Sequence, residues 1–170
     1  MRRPRGRLPA AWSPPRAIRA SPAGYTSIIR AAARGREENA VNFREIVESI
    51  AQACKWEVTE DEDGTLCVEV PTGSGRSQVV VITEDVDVAD QPIARYWSVI
   101  GEAEGIDFRR CLEENARLAY GAFALQGQNL VLLDTQLISD ADPMEVGASI
   151  GNLAAYADRY ERDLFGVDTY

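Results

Sequence analysis

The sequence contains no histidine. That removes His-based general bases, Ser/His/Asp and Cys/His triads and the commonest zinc ligand together. Cysteine is scarce: Cys54, Cys67 and Cys111 are odd in number, widely spaced and set in apolar patterns. They fit neither a CxxC metal site nor a disulfide framework, and read as buried, reduced thiols. No run approaches the ~18 apolar residues of a membrane span, so a soluble, cytoplasmic protein is expected. The first 36 residues have no Asp or Glu and hold nine of the 18 basic residues, while residues 37–170 carry the other nine and all 27 acids. A body with a net charge of −18 repels phosphate backbones, so nucleic acid could be bound only through the Arg-rich tail.

What is present divides into an extension and a body. Residues 1–40 combine Arg, Pro, Ala and Ser, a composition that supplies no core and breaks helices at its prolines, so a disordered extension is expected. Its acid-free, Arg-rich character also looks like an organelle transit peptide. Residues 41–165 are long enough for one domain with a single core, and 166–170 form a short tail.

Periodicity sets the order of elements in the body. Asn42 is an N-cap candidate with Glu45 three residues on, and Phe43, Ile46, Val47, Ile50 and Cys54 recur at helical spacing over 43–54. Trp56 and Val58 alternate with polar residues before the DEDGT turn, and Leu66, Val68 and Val70 do so after it, which predicts a hairpin. PTGSGRS is a second turn, followed by QVVVITEDVDV and IARYWSVIGEA, two further antiparallel strands. Asp107 can cap a second helix running through FRRCLEENARLAY to Gly121, with Phe108, Cys111, Leu112 and Ala116 toward the core.

AFAL and NLVLLDTQL then form a hairpin around QGQ, apolar on both faces as strands covered on each side would be. Asp142, with Pro143 at the first helical position, starts the last helix. There Val146, Ile150, Leu153, Ala157, Tyr160 and Leu164 form a seam that suits a partner helix or a sheet. The predicted class is α+β: a curved antiparallel sheet with helices packed on it, in the order α-β-β-β-β-α-β-β-α.

Four stretches invite a chemical reading. EDEDG at 60–64 resembles a calcium loop, but with Gly64 at position six the first and twelfth positions fall on Thr59 and Val70, neither a carboxylate. GSGRS at 73–77 shares only glycines with a phosphate loop, since Arg76 enters a strand and no helix follows. Glu102, Glu104, Asp107, Glu113 and Glu114 cluster at the start of the second helix, and paired carboxylates can do acid/base work. An exposed loop and a solvated helical face account for them more simply. Trp56, Tyr96, Trp97 and Phe123 fall at strand positions and read as core. The sequence therefore gives no catalytic, cofactor-binding or metal residues, and points to a protein that binds rather than transforms.

The stretches QVVVITEDVDV, YWSVIGEA, LEENARLAYGAFAL and DPMEVGASIGNLAAYADRYE, within about 42–163, resemble the YbjN family of bacterial sensory transduction regulators. The resemblance implies the fold of type III secretion chaperones of the Tir-chaperone type. Asn115, Tyr120, Gly121 and Phe123 carry the helix-to-sheet turn in it. Chaperones of that fold are small acidic dimers that hold an extended, partly apolar client segment without hydrolysing ATP. The resemblance thus implies a client or signalling protein as partner and a possible homodimer, with no cofactor. Two other readings are a stand-alone regulator in stress or motility signalling, and an enzyme using the carboxylates between Glu102 and Glu114.

Overall fold

Strand alternation and helical periodicity resolve into one antiparallel sheet with the described helices on one face. The structure, a computed structural model, describes residues 42–87 and 89–165. The expected extension over 1–40 and the tail over 166–170 lie outside the described residues.

Helix α1 (Phe43–Cys54) starts where the Asn42 side chain accepts a hydrogen bond from the Arg44 amide, and it stops where Lys55 turns left-handed. The strands are β1 (Glu57–Glu60), β2 (Leu66–Gly73), β3 (Arg76–Val86) and β4 (Pro92–Glu102). Helix α2 (Phe108–Asn115), β5 (Ala122–Gln126), β6 (Asn129–Leu137), a 3₁₀ turn (Ile138–Asp140) and helix α3 (Pro143–Phe165) complete the order. The sheet order is β1-β2-β3-β4-β6-β5, every neighbour antiparallel. The first four strands form a meander. The last hairpin then enters in reverse, so that β6 pairs with β4 and the shorter β5 becomes an edge.

The α+β class and the element order are as the sequence predicts. Alternation places Leu66, Val68, Val70, Val80, Ile82, Tyr96, Ile100, Leu130 and Leu132 on the helix-covered face, and all are buried. Against them lies the seam of α3, with Val146, Ile150, Leu153, Ala157 and Tyr160 buried and Leu164 partly so. α3 packs on β2, β3, β4 and β6, and α1 on α3 and β1. The seam is therefore satisfied within the chain, and it offers no support for a helix-to-helix dimer. None of the described helices is long and apolar enough to cross a membrane.

Three expectations are corrected. The second helix ends at Asn115, not at Gly121: the Asn115 side chain turns back to accept a 2.7 Å hydrogen bond from the Phe123 amide, and residues 116–120 form turns. Being short and at the sheet edge, α2 buries only Cys111 and leaves Phe108, Leu112 and Ala116 exposed. Cys54 is exposed at the end of α1 and Cys67 is half-buried, so only Cys111 is a buried thiol, though all three are free as expected. Among the described residues the hairpin β5–β6 is covered on one side only, because α1, α2 and α3 all pack with the same core cluster. Gly121 does make the close turn expected of it. Its φ is +69°, and an added Cβ would stand 2.8 Å from Leu153 Cδ1 and 3.2 Å from the Leu133 carbonyl oxygen.

Candidate functional site

The face of the sheet turned away from the helices carries an apolar row. In the register, Cys67 on β2 stands opposite Val81 on β3, Val81 opposite Trp97 on β4, Trp97 opposite Leu133 on β6, and Leu133 opposite Ala122 on β5. Directly opposed residues share a face, so the five side chains cross the sheet in one line. Val131, opposite both Val99 and Ala124, extends the apolar surface toward the hairpin end. Cys67, Val81, Trp97 and Leu133 are half-buried with no described helix above them, which is the uncommon feature, since a solvated sheet face is normally polar.

This face bears a groove of about 560 Å³. Cys67, Val81, Trp97 and Leu133 line it together with Ala124, Leu125 and Gln126 on the β5 side and Asp61 and Asp63 of the β1–β2 turn. The turn is held by its backbone: the Asp61 amide donates to the Thr65 carbonyl, the Gly64 amide to the Asp61 carbonyl, and the Thr65 amide to Asp63 Oδ1 at 3.1 Å. The Thr65 hydrogen bond holds the Asp63 carboxyl below its ordinary range. Burial first, and the Asp61 and Asp63 charges second, push the Cys67 thiol up. Arg95 also lines the groove, but its Nε is 3.0 Å from Asp85 Oδ2. The Val86 amide and then Arg95 lower the Asp85 carboxyl.

These placements give an ordering of thiol reactivity. Exposed Cys54 should react first with a maleimide at pH 8, and Cys67 and Cys111, both with thiols raised by burial, several-fold more slowly. Peptide mapping by mass spectrometry would show the order, and a Cys67 faster than Cys54 would contradict the surroundings described for it.

The residues weighed in the sequence are dispersed. Asp107 caps α2 by accepting from the Arg110 amide at 3.2 Å, and Glu113 lies 3.6 Å from Arg109 on the helix surface. Glu114 takes a 2.7 Å hydrogen bond from Arg117 and a 3.4 Å one from the Tyr160 hydroxyl, while Glu102 and Glu104 are exposed. Each of the three helical carboxylates thus has a capping or pairing role. Among the described residues no group of three or more His, Cys, Asp or Glu side chains could hold a metal ion. Of the acidic run, Glu60 binds Arg44 at 2.6 Å, while Asp61 and Asp63 form the groove wall. Tyr96 and Phe123 are core residues as expected, and Trp56 lies against the helix face near Gly151, but Trp97 belongs to the groove.

A second polar centre was not legible as such. Arg76, the first residue of β3, donates from Nε to Asp158 Oδ1 at 2.6 Å and from Nη2 to Glu161 Oε2 at 3.0 Å. Gln78 Nε2 donates to the same Glu161 oxygen at 2.8 Å, and the Ser98 hydroxyl donates to Gln78 Oε1 at 3.1 Å. Asp158, Glu161, Gln78 and Ser98 are all buried. The available signal was parity: Gln78 and Ser98 fall on the buried alternation of β3 and β4, and Asp158 and Glu161 flank the α3 seam. The network ties the start of β3 to the last turns of α3 and is structural in character.

The described residues form an α+β sheet domain whose helices pack on one face and whose other face is apolar with an acidic turn at one end. Residues 44–165 match the family model YbjN, described as "Putative bacterial sensory transduction regulator", and the chain belongs to that family. Among curated proteins no relative matches it.

Proposed function

We propose that the protein is a cytoplasmic, non-catalytic regulator that acts by binding a segment of another protein on the open face of its sheet. The regulatory part of this reading follows the family's description, and the mode of action is similar to that of secretion chaperones. The apolar row from Cys67 through Trp97 to Ala122 is the observation that carries it, because a contiguous apolar surface that no described element covers marks an interaction site. Trp97 stands at the centre of that row, where aromatic residues dominate binding energy.

Crosslinked pull-down from native lysate, quantified by mass spectrometry, tests it. A partner recovered with the wild-type chain should fall about thirtyfold or more with Trp97→Asp, the size expected when a hot-spot aromatic is lost. Met144→Asp, at a side chain 82% exposed away from the groove, should leave recovery unchanged. Trp97 is only half-buried, so thermal unfolding should show the variant still folded. A partner retained by folded Trp97→Asp would remove the open face from the account.

A further inference from the structure

We propose that the occupant of the groove is a peptide segment with apolar side chains along its length and Lys or Arg residues at one end. The inference rests on the open face being a docking surface, and adds what that surface selects.

Size sets the length of the occupant. Strands in a sheet are spaced by about 4.8 Å, so the row across five strands spans roughly 19 Å, which a fully extended chain covers in about six residues. The groove of about 560 Å³ has room for a row of apolar side chains from such a segment.

Charge decides the composition. Asp61 and Asp63 stand at one end of the groove with no ion-pair partner among the described residues. Their negative field reaches the floor, where it helps to raise the Cys67 thiol. The one cation in the lining, Arg95, is matched by Asp85. At the opposite end Ala124, Leu125 and Gln126 carry no charge. The groove is therefore apolar in the middle, anionic at one end and neutral at the other, and its complement carries basic residues at one end only. Anionic lipid and nucleic acid are the wrong sign for this rim, and a second copy of a strongly acidic body would bring like charge to it.

Random twelve-residue peptides displayed on phage, panned against the full chain and counter-selected on Trp97→Asp, give a direct test. Enriched peptides should carry spaced apolar residues with Lys or Arg at one end. A synthetic peptide of the enriched sequence should bind the double variant Asp61→Asn, Asp63→Asn at least fivefold more weakly, and more weakly still in high salt. Its Lys/Arg→Gln analogue should bind both proteins equally. Asparagine still accepts the Thr65 amide bond at position 63, so the turn is kept. Enriched peptides that are neutral or acidic, or that bind the double variant undiminished, would overturn the charge selection while leaving the docking face in place. If no enriched peptide depends on Trp97, the docking reading itself fails. Light scattering that showed a dimer of the free chain, abolished by Trp97→Asp, would assign the face to a second copy and overturn the proposal.

Discussion

Replacing Arg76 by Ala is expected to cost about 3–5 kcal/mol of folding stability, the range for removing one partner of a buried ion pair. Asp158 and Glu161 keep only 5% and 1% of their side-chain surface exposed, so neither can recover its hydration when the guanidinium goes. Asp158 retains Arg162, 2.9 Å from its other oxygen, and Glu161 keeps the Gln78 amide donor at 2.8 Å. The loss of a guanidinium 3.0 Å from so deeply buried a carboxylate as Glu161 carries much of the cost. Adding Glu161→Gln to Arg76→Ala should recover part of the loss, because the buried charge is then removed with its partner. Breaking the exposed pair between Arg109 and Glu113, 86% and 66% exposed, should change stability by less than ~0.5 kcal/mol. Urea unfolding of the four proteins gives the comparison, and a loss below ~1 kcal/mol for Arg76→Ala would show that water enters the network freely.

The second large effect lies in the core. Leu153→Ala should cost about 2–5 kcal/mol, since the side chain is fully buried and its Cδ1 fills the space left by Gly121 between α3 and the sheet. With Gly121 held in its left-handed turn, the site has little freedom to collapse into the vacancy. Leu112→Ala is the informative contrast. The sequence pattern places Leu112 toward the core, but it is 67% exposed, so its truncation should leave stability within ~0.5 kcal/mol of the wild type. A loss at Leu112 equal to that at Leu153 would mean that α2 packs differently from the arrangement described.

That contrast shows where the sequence was readable. The α3 seam and the alternation of β2, β3 and β4 were legible because each repeats a single burial period over several turns or residues. The β5–β6 hairpin and Gly121 were legible from turn chemistry. α2 was not, because its length is set by the Asn115 side chain reaching across to the Phe123 amide, a contact that local periodicity does not encode. The placement of β6 beside β4 is likewise a matter of long-range pairing.

The candidate site was hidden for a related reason. Val81, Trp97 and Leu133 look like core in sequence, since an apolar residue on a strand is ordinarily covered, and it is the grouping of the described helices on the other face that leaves them without a described helix above them. The Arg76 centre was missed because Arg76 follows a glycine-rich turn, where solvent exposure is the usual outcome.

On the proposed function the open sheet face, not the helical face, meets the partner. The most direct measurement places a photo-crosslinking amino acid at four positions in turn and maps the adducts formed in living cells. Val79 and Thr83 lie on the open face, while Leu112 on α2 and Met144 at the start of α3 are exposed elsewhere. Adducts to one and the same protein are expected from positions 79 and 83, and none from 112 or 144. Adducts confined to 112 or 144 would contradict it.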